Sequence, residues 1–95
     1  MENAKMLLAS FGEKIEKILI EFSINEENAL ALLKELKADL EKKYPVGEDS
    51  ELFSACVYNV LATINSVPGQ NKKTGQLVSA LVEAKDEIKA IAEFM

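Results

Sequence analysis

The chain has 95 residues, of which 48% are apolar, four are Gly and two are Pro, and its 16 acidic against 11 basic residues leave a net charge of −5. That composition supports one small folded domain and excludes a disordered or low-complexity chain. Every basic residue is Lys, and His, Arg and Trp are absent, so the guanidinium fork that grips phosphate and guanine is missing, as is the usual general base near neutral pH.

The elements follow in chain order from apolar residues spaced 4,3,4,3, the pattern of packed helices. The opening "MENAKMLLASFGEKIEK" does not read as a signal peptide, because its apolar part is short, Glu2 precedes it and Glu13 follows at once. Ala4, Leu8, Phe11, Ile15, Ile18 and Phe22 predict a first helix over about 3–22. Gly12 inside it costs about 1 kcal/mol relative to Ala. It is either a point of close helix approach or a tolerated surface glycine. In "SINEEN", Ser23 reads as an N-cap with Glu26 completing a capping box, and Glu27 adds favourable charge. Ala29, Leu33, Leu36 and Leu40 carry the second helix over about 25–43, with Lys42 and Lys43 at its end and Pro45 and Gly47 breaking it.

Asp49 or Ser50 caps the third helix, about 50–66, whose stripe is Phe53, Val57, Val60, Ile64 and Val67. The acids of "GEDSE" lack the spacing and terminal Glu of a calcium loop, and helix capping explains them better. Pro68–Gly69 stops the helix. "PGQNKKTGQ" has glycines, lysines and a Thr before a helix but not the Walker A spacing, and no strand precedes it. Lys72 and Lys73 offer charge for an anion at the next helix, although an ordinary solvated loop explains them more simply. Thr74 reads as the cap of a fourth helix, about 75–94, striped by Leu77, Leu81, Ala84, Ile88, Ile91 and Met95. Short connections favour antiparallel neighbours, so the expected fold is all-α, an antiparallel up-down-up-down four-helix bundle forming a single domain over residues 1–95. Its core should hold Phe11, Ile15, Ile18, Leu33, Leu36, Val57, Val60, Ile64, Leu81 and Ile88.

No catalytic, metal or cofactor site is expected. Triads and the Glu-x-x-His pairs of di-iron bundles need His, and zinc needs Cys or His in number. The carboxylates (Glu13, Glu16, Glu21, Glu35, Asp39, Glu41, Glu83, Asp86, Glu87, Glu93) fall on polar stripes, and Glu13 precedes Lys17 in the i,i+4 order that stabilises a helix. Cys56, the single cysteine, flanks the third stripe and reads as a small buried hydrophobe; the chain has no disulfide partner for it. An acidic chain is repelled by nucleic acid and by anionic membranes.

The longest uncharged run, Leu52 to Asn71, is no membrane span, since it contains Ser54, Asn59, Thr63, Asn65, Ser66 and Pro68–Gly69. With the third stripe inward, Ala55 and Ala62 point outward, flanked by Leu52, Tyr58, Asn59, Asn65 and Ser66. Either the chain covers this face itself or another molecule does, and small residues with one Tyr suit the centre of a protein–protein patch. Ile20 and Val82 are expected to extend its apolar area. The expected function is non-enzymatic and cytoplasmic: a small inhibitor, immunity or adaptor protein acting by contact with another protein or with itself, as a homodimer. Two alternatives stand beside it, a structural subunit self-associating through the third helix and a carrier of a small apolar ligand between helices.

The stretches "ALLKELKADLEKK", "LFSACVYNVLATI" and "LVSALVEAKDEIKAI", about half the chain, give a layout that resembles the cytosolic immunity proteins against pediocin-like bacteriocins. The resemblance implies an antiparallel four-helix bundle and an immunity role. It is one of layout, without a diagnostic motif, so no functional residue is carried over. Those proteins are often basic, whereas this chain is acidic.

Overall fold

The computed structural model describes residues 4–42, 44, 50–67 and 74–95. Four helices account for most of them: α1 (Ala4–Phe22), α2 (Glu26–Glu41), α3 (Ser50–Asn65) and α4 (Thr74–Phe94). No strand occurs among the described residues. The expected stops at Lys43, Pro45, Gly47 and Pro68–Gly69, the Asp49 cap and the lysines Lys72 and Lys73 lie outside the described residues.

The α1–α2 connection corrects one expectation. Asn25, not Ser23, caps α2: its backbone is extended (φ −151°, ψ 101°) and its side-chain oxygen accepts from the Asn28 N–H at 3.2 Å. The Ser23 hydroxyl instead donates to the Ile20 carbonyl at 2.7 Å, alongside the backbone bonds that finish α1. Two polar residues thus divide the work of a tight connection. At the far end of α2, the Lys42 N–H and the Tyr44 hydroxyl both donate to the Asp39 carbonyl, at 3.2 and 2.9 Å.

The inward stripes form one core. Leu8, Phe11, Ile15 and Ile18 of α1 meet Leu33, Leu36 and Leu40 of α2, Phe53, Val60 and Ile64 of α3, and Leu77, Leu81, Ala84 and Ile88 of α4. No polar or charged residue is fully buried among those described, and one carboxylate oxygen, Glu87 Oε2 at the edge of the core, is buried without a partner. Val57 is the exception to the expected core: it is half-buried, and Cys56 is buried beside the stripe. The reason is uneven neighbours. α1 packs along both α2 and α4, and α3 packs along α4, whereas α2 and α3 touch only thinly. α3 therefore turns its buried stripe toward α4.

Contacts fix the directions. Gly12 faces Ile88 and Glu16 meets Lys85, so α1 and α4 run antiparallel. Glu21 accepts from Asn28 while Lys14 meets Asp39, which makes α1 and α2 an antiparallel hairpin. The extents of 40 × 21 × 21 Å match a two-by-two section of helices about 10 Å wide. Where the α2 and α3 ends meet, Tyr44 packs edge-to-face with Phe11 and Phe53, centroids 5.7 and 5.9 Å away, and the two Phe rings lie tilted at 6.3 Å. A Cβ on Gly12 would lie 3.7 Å from Ile88 Cγ2, an ordinary contact, so close approach does not require the glycine.

Candidate contact surface

α3 has three sides beyond its buried stripe. On the flank toward α4, the Thr63 hydroxyl donates to Glu87 Oε1 at 3.3 Å. The other oxygen of that carboxylate is buried and has no hydrogen-bond partner among the described residues. Cys56 lies on the same flank, where burial, and secondarily the negative charge of Glu87, pushes its thiol up to about 11. The thiol is thus protonated and inert near neutral pH.

Among the described residues, the flank toward α2 is open. Ser54, Val57, Tyr58 and Leu61 face Leu40, Glu41, Lys42 and Tyr44 across a groove of about 550 Å³. This groove is the direct result of the thin α2–α3 contact. Nothing in the linear pattern announced it, although Tyr44, an aromatic just past the second stripe, was a signal that the helix end is packed.

Between the flanks runs the outward side. Ala55, Asn59, Ala62, Asn65 and Ser66 are all exposed, Tyr58 is 73% exposed, and Leu52 is half-buried at the α4 edge. The seven expected surface residues therefore share one continuous side, which the chain's own helices leave open. Ile20 and Val82, expected to extend it, are 56% and 45% exposed on α1 and α4.

Charges cluster elsewhere. Asp39 receives Lys14 Nζ at 3.1 Å and Lys42 Nζ at 3.2 Å, and these hydrogen bonds hold its carboxyl below the usual carboxylate range. Lys37 is half-buried on α2, and burial lowers its pKa against the opposing pull of Glu41. No group of three or more metal-ligating side chains occurs among the described residues, and no described helix is long and apolar enough to cross a membrane. Chemically, the arrangement offers α3 as a surface: an uncharged, small-residue face with one exposed aromatic, and beside it a groove whose apolar floor is edged by Glu41 and Lys42. No protein family, no curated protein and no solved structure matches this chain.

Proposed function

We propose that this is a non-enzymatic, cytoplasmic protein that acts by protein–protein contact through the outer face of α3, in the manner of an inhibitor, immunity or adaptor protein. The observation that carries the reading is the exposure of Ala55, Tyr58, Asn59 and Ala62 on a helix whose single charged residue is Glu51. A face kept free of charge costs little to desolvate, and Tyr is enriched among the residues that anchor protein interfaces. The immunity resemblance agrees with such a role through layout alone.

A photo-reactive side chain in place of Ala62 tests the reading in the chain's native lysate. Irradiation should yield a discrete covalent adduct to protein. The same group at Lys89, exposed on the α1-facing side of α4, should yield none. No adduct at position 62, or equal adducts at both positions, would refute a contact surface on α3.

A further inference from the structure

We infer that α2 is a hinged lid, which swings on α1 along their outer edge and opens the bundle at the α2–α3 seam while α1, α3 and α4 stay packed. This motion is independent of what the outer face of α3 contacts.

The seams of the bundle are unequal. Lys14–Asp39 (3.1 Å) and Asn28–Glu21 (3.0 Å) tie α2 to α1. Glu16–Lys85 (3.8 Å) ties α1 to α4, and Thr63–Glu87 (3.3 Å) ties α3 to α4. Among the described residues, no hydrogen bond or ion pair joins α2 to α3, and the groove of about 550 Å³ runs between them. Parting a seam that buries little exposes little, so it opens at a lower free energy than the whole fold.

The two sides of α2 suit a hinge and a free edge. Asn28, Leu32, Glu35 and Asp39, spaced 4,3,4, form the side along α1. Its two polar ties are about 16 Å apart along the helix, so they define a line and leave α2 rotation about it. The opposite side carries Leu30, Lys37 and Glu41, and Glu41 lines the groove to α3. Lys37 is half-buried there without an ion pair, and burial disfavours its charge despite the pull of Glu41. The free edge is latched at one end by Tyr44, whose ring packs edge-to-face on Phe53 of α3 at 5.9 Å. Swinging α2 out uncovers Ala29, Leu33 and Leu36 on its inner side, all buried in the closed bundle. Cys56, on the flank of α3 toward α4, stays covered.

Thiol labelling at neutral pH reads the opening, and circular dichroism reads the fold. Two single-thiol chains are compared: the parent, with Cys56, and Cys56→Ala/Ala29→Cys, with its thiol on the inner side of α2. Position 29 should label at least about tenfold faster than position 56, and with a weaker urea dependence, because it needs only a partial opening. Tyr44→Ala removes the latch and should widen that ratio. Lys37→Met keeps the apolar stem, drops the buried charge and should narrow it, which carries the test should Tyr44→Ala not fold. Equal rates with equal urea dependence at the two positions would mean that the chain opens only as a whole, and would overturn the inference. So would a ratio that neither substitution changes.

Discussion

α2 and α3 are both 16 residues long and bury four residues each, yet their outer sides have nothing in common. α2 carries Glu26, Glu27, Lys34, Glu35, Lys37, Asp39 and Glu41, whereas α3 carries only Glu51. Equal inward stripes with opposite outward compositions mean that a bundle helix encodes two independent messages. The buried message specifies where the helix packs. The outward one is unconstrained by the fold, so its departure from the charged norm points to a demand made by something else.

Four measurements separate the inward residues of these helices from the outward ones. The largest effect is on reactivity. With its thiol pushed up to about 11, Cys56 on the α4-facing flank should alkylate at neutral pH at least about a hundredfold more slowly in the folded chain than in denaturant. Fast labelling of the native protein would mean that this flank opens as readily as the outer side.

Next comes the core. Leu36→Ala in α2 and Ile64→Ala in α3 remove side chains that are 1% and 0% exposed. Each should cost about 2–5 kcal/mol and lower the melting midpoint by roughly 10 °C or more. A loss under about 1 kcal/mol for Leu36→Ala alone would show that α2, held chiefly by α1, closes around the gap, and that the inward stripes are unequal after all.

A smaller effect separates the helices by pH. The folded Asp39 carboxyl is held below its ordinary value of 3.8 by hydrogen bonds from Lys14 and Lys42. Its contribution is therefore present above that ordinary value and is lost as pH falls through the lower, folded one. Because the lysines are largely exposed, Asp39→Asn should cost under about 1 kcal/mol at neutral pH. In urea titrations the difference from the parent should vanish in strong acid. A difference that persists there would assign the loss to something other than the ion pairs.

The smallest expected change in stability is the most informative. Ala38→Glu on α2 and Ala62→Glu on α3 both add a carboxylate at an exposed position, and thermal melts should shift by no more than about 0.5 kcal/mol. Identical stability with association lost only for the α3 variant would isolate the outward message. Destabilisation by Ala62→Glu alone would mean that α3 is covered within its own chain.

Much of this was legible in the residues. The apolar period and the placement of Pro and Gly located all four helices to within two residues, because each stripe is unbroken and each connection short. The division between Ser23 and Asn25 was not legible, since both residues can cap and the choice depends on whether the hydroxyl reaches back to Ile20. The burial of Cys56 was legible, but the half-burial of Val57 was not. A strict heptad presumes equal neighbours on both sides, and α3 has one strong neighbour and one weak. The uncharged face itself could be read directly, but the groove beside it arises from spacing between helices, which no single helix encodes.

The pairing of α1 with α4 has a kinetic consequence. Gly12 against Ile88, and Glu16 against Lys85, join residues from opposite ends of the sequence. Each hairpin, α1–α2 and α3–α4, closes a short loop and can form within microseconds. Neither hairpin then has its core covered until the two dock, an event that closes most of the chain into one loop and so carries its largest closure entropy. Docking is expected to set the folding rate and to be slower than for a bundle whose first and last helices lie apart, which stopped-flow refolding would read. Substitutions along the α1–α4 seam, at Ile15 or Ile88, should slow folding more than they speed unfolding to the extent that this seam is formed at the barrier.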